Sequence, residues 1–371
     1  MQRWMRFVLP ALLAATITAC GPASEVTGPG ADPTPHEVTA EYTPGQVSQS
    51  PTIEPARPNV TGGTLAGSGG SGSVDGSGPN ASFDAPEGLA VTSDGTVYVA
   101  EPYGYRIRRI TSDGTVTTLA GGGTEPGRQD GQGSEARFMG PKDVAIAPQG
   151  DLYVVDFDAV RRITPAGTVT TLSLHNTDGS PYHPIELFGI AIDTGGNLYL
   201  SSTNWIDRVG SDGTVTRYAG NEDRGFADGP AGRNYFNLPH KLAFDKAGNL
   251  YVADYGNLRI RRIAPDRSVT TVAGNGILGY TDGPAVSSRL NFPSGVAVDG
   301  AGNVLVADTY NHAVRQITPD GMVSTIAGNN TPGYTDGSGT IEFQRPTDVA
   351  VQPDGAILVA DSDNARVRIL R

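Results

Sequence analysis

The stretch that decides the fold runs from Pro239 to Ile263, PHKLAFDKAGNLYVADYGNLRIRRI, and continues as Ser268-Val-Thr-Thr-Val-Ala-Gly274. Three short runs in it alternate apolar and other residues, Leu242 to Asp245, Leu250 to Ala253 and Leu258 to Ile263, and a fourth follows. Alternation at period two, cut by turns that carry glycine, marks strands. Lys246-Ala-Gly-Asn249 and Asp254-Tyr-Gly-Asn257 supply the turns, because Gly and Asn accept the positive φ that tight hairpins need. The segment predicts a four-stranded antiparallel meander.

The chain repeats this unit. Ala90, Ala145, Ala191, Ala243, Ala297 and Ala350 fall in one register, at intervals of 46 to 55 residues, which makes six copies. Good copies begin at Pro86 (PEGLAVTSDGTVYVAEPYGYRIRRI), Pro293 (PSGVAVDGAGNVLVADTYNHAVRQI) and Pro346 (PTDVAVQPDGAILVADSDNARVRIL). One twisted sheet cannot bury both of its faces alone, whereas a closed ring of such sheets can, so the expected fold is all-β, a six-bladed β-propeller. The pattern P-x-G-V-A-V-D-x-x-G-N-x-Y-V-A-D-x-x-N-x-R-I-R-x-I resembles the NHL repeat. That resemblance implies a propeller that serves as a binding surface for proteins or RNA, as an extracellular sensor domain, or, as in the peptidylglycine amidating lyase, as a zinc-dependent catalyst; fold alone does not choose among them.

Residues 1–19 read as a signal peptide: Arg3 and Arg6 give a positive start, and Phe7 to Ile17 is an apolar run too short to span a bilayer. The run ends at Ile17-Thr-Ala-Cys20, similar to the bacterial lipobox, in which cleavage leaves a cysteine that receives diacylglycerol and an N-acyl chain such as palmitate. Cys20 is the single cysteine of the chain. Two or more acyl chains are what stable anchoring requires. Gly21 follows where an aspartate would favour inner-membrane retention, so the outer membrane is the expected site where one exists. Residues 20–58 hold eight prolines and few large apolar side chains, a composition that cannot offset its ordering entropy and reads as a disordered tether.

Residues 59–371 are assigned to the propeller. Val60 to Gly67, VTGGTLAG, resembles the fourth strand of the repeat, as in Val116-Thr-Thr-Leu-Ala-Gly121, yet precedes the first full copy, and the sixth copy ends after its third strand at Arg371. The N-terminal strand is therefore expected to complete the C-terminal blade, which removes exposed sheet edges and gives 24 strands.

Each connection between copies carries an Asp-Gly pair, at Asp75, Asp130, Asp178, Asp228, Asp282 and Asp336. A Ca²⁺ ring is one reading, but a single carboxylate per loop chelates poorly, and a turn fixed by its own Asp is favoured. Arginine runs such as Arg106-Ile-Arg-Arg109 and Arg259-Ile-Arg-Arg262 recur once per copy and are expected to pair with acids between blades. A formal net charge of -12 argues against nucleic acid as a partner.

Connections into first strands and hairpins between second and third strands should share one face. It would present Glu87, Lys142, Asp143, His240, Lys241 and Asp348 near the channel, with Glu101, Tyr103, Asp156, Phe157, Asp158, Asp254, Tyr255, Asp308, Tyr310, Asp361 and Asp363 further out, an acidic and aromatic surface suited to a protein segment, a sugar or a cationic ligand. Copies two and three break the repeat with shortened hairpins at Asp156-Phe-Asp-Ala159 and Ser202-Thr-Asn-Trp205. The expected ligand site is a notch there, lined by Phe157, Tyr182, Phe188, Asn204 and Trp205, with His240 at the channel.

Catalysis is the alternative. A zinc site of the amidating-lyase kind implies several histidines at equivalent channel positions, where the chain has Glu87, Lys142, Phe188, His240, Ser294 and Thr347. The related gluconolactonase arrangement implies Ca²⁺ or another divalent metal held by carboxylates and Asn, for which Glu87, Asp143 and Asp348 are the candidates. The chain is thus expected to be a lipid-anchored extracytoplasmic propeller that binds a protein or carbohydrate without a cofactor, with a metal-dependent hydrolase or lyase as the other reading.

Overall fold

The structure is a computed structural model and describes residues 60–123 and 125–371. Six sheets follow one another in chain order, with almost no helix. Blade four shows the unit: Pro239–Phe244, Leu250–Asp254, Arg259–Ile263 and Val269–Ala273, each antiparallel to the next. The local sequence sets each turn. Asp245 Oδ1 accepts the backbone N–H groups of Ala247 and Asn249, both at 2.9 Å, while Gly248 takes φ +84°, so a side chain closes the hairpin that a positive φ opens. After the second strand, Asn257 Nδ2 donates to Asp254 Oδ2 at 2.8 Å and Leu258 sits at φ +56°, which turns the chain back into the third strand.

The first strands of all six blades, Gly88–Val91, Pro141–Ile146, Gly189–Ile192, Pro239–Phe244, Pro293–Val298 and Pro346–Val351, surround an axial cavity of about 270 Å³. Apolar side chains fill the space between neighbouring blades. Val99, Ile110 and Val116 of blade one pack with Leu358, Val367 and Ile369 of blade six, and Ala66 of the N-terminal strand lies among them. Gly62–Ala66 pairs antiparallel with Arg366–Leu370. Thr61 and Arg371 exchange both backbone hydrogen bonds, at 2.8 and 2.9 Å. The ring is closed by the N-terminal strand, as the sequence predicts.

Two expectations need correction. Blades one, two, three and five carry a fifth, outermost strand, Gly76–Ser77, Gly131–Gln132, His175–Asn176 and Gly283–Pro284, so the described strands number 28 rather than 24. The Asp-Gly pairs lead into that strand in blades one, two and five, whereas in blade four the same bond, Thr271 N–H to Asp228, comes with only a bridge between Gly229 and Val269. Asp75, Asp130 and Asp282 each accept the N–H of a fourth-strand threonine, Thr118, Thr171 and Thr325, at 2.9–3.0 Å, which lays the connection along the sheet edge.

The arginines do not reach across blades. Arg108, Arg161, Arg261, Arg315 and Arg368 are wholly buried, and each lies between the carboxylate that ends its own second strand and the Asp of its own connection. In blade four Arg261 Nη1 is 2.7 Å from Asp254 and Nη2 2.7 Å from Asp228, and the same guanidinium donates to the carbonyls of Tyr235 and Ala227. Glu101, Asp156, Asp254, Asp308 and Asp361, expected to make the hairpin face acidic, are therefore withdrawn from solvent. Removing one partner of a buried pair strands the other charge, at about 3–5 kcal/mol. Arg261→Ala should lower unfolding free energy by that amount in chemical denaturation; a loss under about 1 kcal/mol, the range of exposed pairs, would show that the clamp adds nothing to stability.

Candidate functional site

The channel wall is built from the third position of each first-strand motif, which reads Gly88, Asp143, Gly189, Lys241, Gly295 and Asp348 around the ring. Glycine alternates with a charged residue because the backbones crowd there. A methyl group at Gly88 would stand 2.7 Å from the Asp143 Cα, and one at Gly295 2.6 Å from the Asp348 Cα. Lys241 Nζ lies 3.1 Å from Asp143 Oδ1 and donates to the Lys142 carbonyl at 2.5 Å. Asp143 Oδ2 accepts the Ile190 N–H, and Asp348 Oδ2 the Leu89 N–H, both at 2.9 Å, so each fastens its blade to the next.

Charge in this space is tightly matched. Burial works against the Lys241 ammonium, yet Asp143, Asp348 and Glu87 outweigh it and raise its pKa. Burial pushes Asp348 up to about 8, opposed by Lys241 and assisted by the Asp143 charge. Burial likewise raises Glu87, against the pull of Lys241 and Lys142. A Ca²⁺ or Zn²⁺ ion would need Glu87, Asp143 and Asp348 as free donors, but an ammonium already stands among them and two of the three hold backbone amides. Among the described residues no three His, Cys, Asp or Glu side chains are grouped as metal ligands. The donor set does not fit a divalent cation.

Above the channel an aromatic arc crosses three blades. Phe188 stacks on His240 with centroids 4.8 Å apart, His240 stacks on Tyr255 at 4.1 Å, Tyr255 meets Phe292 at 4.9 Å, and Phe292 meets Tyr310 at 5.5 Å. A cation sits at each end: Lys142 Nζ is 4.6 Å from the Phe188 ring centroid and the Arg345 guanidinium 5.0 Å from that of Tyr310. These cations are themselves paired, Lys142 with Glu186 and Arg345 with Asp363. His240 is held well below its usual pKa by burial and then by Lys142 and Lys241, so its ring is neutral at pH 7. All five residues are half-buried.

Phe188 and His240 thus belong to one surface, as the sequence suggests, and Tyr255 and Tyr310 join them. Phe292 and Arg345 were missed. Both occupy the slot just before the strand-opening proline, where φ is +49° and +51°, and their types differ from Ala85, Gly140 and Leu238 in the same slot. That irregularity was the available signal.

The remaining notch residues do something else. Blade three has Asp207 where the other blades have the buried arginine, and Arg217 where they have threonine. Arg217 Nε donates to Asp207 Oδ1 at 2.9 Å, while the Tyr182 hydroxyl and Trp205 Nε1 both donate to Asp207 Oδ2, at 2.8 and 2.7 Å. The Arg217 guanidinium lies 4.0 Å over the Trp205 ring. Tyr182 and Trp205 therefore complete a charge-reversed clamp with their polar atoms already satisfied. Asn204 donates to the Glu222 carbonyl, and Phe157 is 43% exposed at φ +61°. Cys20 and the segments assigned to the signal peptide and tether lie outside the described residues.

Repeat and ring together define the class, a six-bladed propeller of NHL type. The NHL repeat profile matches residues 236–263, 290–317 and 343–370, and that of the teneurin NHL domain matches residues 123–210. The chain is similar to NHL repeat-containing protein 2 of Bos taurus, 27% identical over 329 residues, which covers 81% of this chain and 40% of that protein. Against Teneurin-3 of Danio rerio it is 28% identical over 342 residues, covering 77% of this chain and 12% of that one. The chain thus spans well under two thirds of these relatives. Among solved structures, an auxiliary nutrient binding protein from Bacteroides thetaiotaomicron shares the fold with a TM-score of 0.65 at 17% identity, covering 84% of this chain and 76% of that one.

The channel carries a pH signature. Asp348 binds a proton in the folded state up to about pH 8, whereas its ordinary pKa is 3.8. The folded state holds more protons across that window, so the Asp348 contribution to stability falls as pH rises from about 4 to about 8 and is gone above it. Asp348→Asn, which keeps an acceptor for Leu89 N–H, should flatten the melting temperature across that range. A wild-type slope retained by the variant would place the titration elsewhere.

Proposed function

We propose that the protein is a binding module displayed outside the cytoplasm, and that its ligand docks on the aromatic arc over the channel mouth. The arc is the observation that carries this reading. Five rings drawn from three blades follow one another without interruption, although ring closure and blade packing are already satisfied by the apolar clusters beneath. Partly exposed aromatic side chains flanked by fixed charges are the composition of recognition surfaces. Ring edges, the Tyr255 and Tyr310 hydroxyls and the flanking Lys142 and Arg345 suit a protein segment or carbohydrate of the cell envelope. The acidic balance of the chain disfavours nucleic acid. Likeness to a nutrient-binding protein is a likeness of fold and is in keeping with this reading. A metal-dependent hydrolase or lyase in the channel gains no support, because Lys241 stands among Glu87, Asp143 and Asp348.

Anchoring belongs to the same proposal. Lipidated Cys20 and the Pro-rich residues after it would hold the propeller clear of a bilayer. Cys20→Ser should move the protein from the membrane fraction to the soluble one; equal membrane recovery for both forms would remove the anchor.

The arc is tested by capture of envelope proteins and glycans with the full chain. Tyr255→Ala combined with Phe292→Ala should weaken capture by about tenfold or more, at about 0.5–1.5 kcal/mol for each aromatic contact. Trp205→Ala should leave it unchanged while lowering stability. The reverse pattern would return the site to the notch of blade three.

A further inference from the structure

At the end of the ring opposite the arc, the first-to-second turns of blades three and four, the third-to-fourth turn of blade four and the adjoining strands of blade three frame a cleft of about 800 Å³. Tyr199, Tyr218 and Phe244 form an aromatic wall, with Tyr199 edge-on to both of the others at 4.9 Å between centroids. Arg208, Lys246 and Arg267 also line it.

Three of these residues depart from the repeat, and they meet nowhere else. Tyr218 stands where the other blades have Leu119, Leu172, Val272 and Ile326. Phe244 stands where they have Val91, Ile146, Ile192, Val298 and Val351. Arg267 takes the turn position that is glycine in blades one, two, three and five, Gly114, Gly167, Gly213 and Gly321, each with φ between +82° and +88°. Arg267 adopts φ +66° in that slot, a conformation that a residue with a Cβ enters only at a cost. Tyr218 and Phe244 also pack on the core between blades three and four, so their size serves the ring in part; Arg267, exposed and strained beside them, needs another cause.

The charges identify the ligand. Among the described residues Arg208, Lys246 and Arg267 form no ion pair. The cleft carboxylates are already engaged: Asp193 accepts from Gly195 N–H, Asn197 N–H, Asn197 Nδ2 and the Tyr199 hydroxyl, and Asp245 accepts from Ala247 N–H, Asn249 N–H and Asn249 Nδ2. Burial raises the Tyr218 pKa; the Arg267 and Arg208 guanidiniums oppose it, and the Asp193 and Asp266 charges add to it. Guanidiniums without an ion pair favour an oxyanion that offers two oxygens to the fork, as a carboxylate or a phosphate does, and the aromatic wall favours an apolar body next to it. Set against the Asp193 and Asp245 carboxylates, the three cations leave the cleft lining with an excess of one positive charge in a chain of net charge -12.

We propose that this cleft is a second binding site, for a small molecule that carries a carboxylate or phosphate group on an aromatic or apolar body. It is independent of the arc, from which it is separated by the length of the blades.

The test is isothermal titration of the full chain with phenyl phosphate and with benzoate, using phenol and benzylamine as uncharged and cationic controls. Saturable binding of at least one anion, with neither control binding, is expected, and the stronger of the two anions names the group. Arg267→Gly restores the residue of the other blades, so it should keep or raise the melting temperature while weakening anion binding by about tenfold or more. Tyr218→Leu should act in the same direction, and Tyr255→Ala in the arc should change nothing. The proposal is overturned if neither anion binds at about 10 mM, if the controls bind as well as the anions, or if Arg267→Gly binds as the wild type does.

Discussion

A guanidinium with no access to water, held between two carboxylates, is the interaction on which this ring depends. Arg261 shows why. Its Nε and Nη groups point to Asp254 at the end of the second strand, to Asp228 in the connection, and to two carbonyls of that same connection. One planar fork therefore fixes a hairpin, an edge strand and a long irregular segment at once. A lysine could not, since its three donors radiate from a point and do not lie in a plane. Five blades repeat the arrangement, and in four of them the ring of Phe83, Phe138, Phe236 or Phe343 lies 5.0–5.3 Å from the guanidinium. Such clusters contribute less to net stability than to uniqueness, because desolvation offsets much of the attraction while any misplaced strand would leave a buried charge unpaired.

Blade three tests that logic from within. Its arginine is replaced by Asp207, the acid at the end of its second strand is Ser202, and Asp178 turns away to bond Ser180. Polarity is reversed rather than lost: Asp207 stands where the guanidinium would donate, and Arg217, Tyr182 and Trp205 donate to it. What looks in the sequence like decay, or like a binding notch, is a compensated substitution. The polar atoms of the aromatic residues drawn into it are taken up by Asp207.

Once the clamps are accounted for, the positions free to differ stand out. On the hairpin face these are Phe188, His240, Tyr255, Phe292 and Tyr310, which line up only because successive blades are rotated about a common axis. At the opposite end Tyr218, Phe244 and Arg267 come together across a single blade boundary. The axis itself is occupied: alternating glycines let Asp143, Lys241 and Asp348 meet in a space too narrow for six side chains, where Lys241 pairs with Asp143 and burial favours the protonated form of Asp348.

The repeat, the number of blades, the closing strand and the turn residues were all legible in the sequence, because each depends on local periodicity, on φ preference at Gly and Asn, or on spacing along the chain. Phe188 and His240 were also legible as members of a surface, since their register position places them at the channel. Which partner each charge takes was not. Arg261 and Asp228 are 33 residues apart, and Tyr182 meets Asp207 across 25, distances over which alternation carries no information about side-chain direction. Asp207 and Arg217 read as unremarkable polar residues until the ring sets them opposite each other. The sequence by itself determined that identical meanders must close into a circle, because nothing else could cover both faces of each sheet. Only the tertiary structure decided which side chains are spent on holding that circle and which lie outside those contacts, because burial and pairing are properties of neighbours that the chain order does not contain.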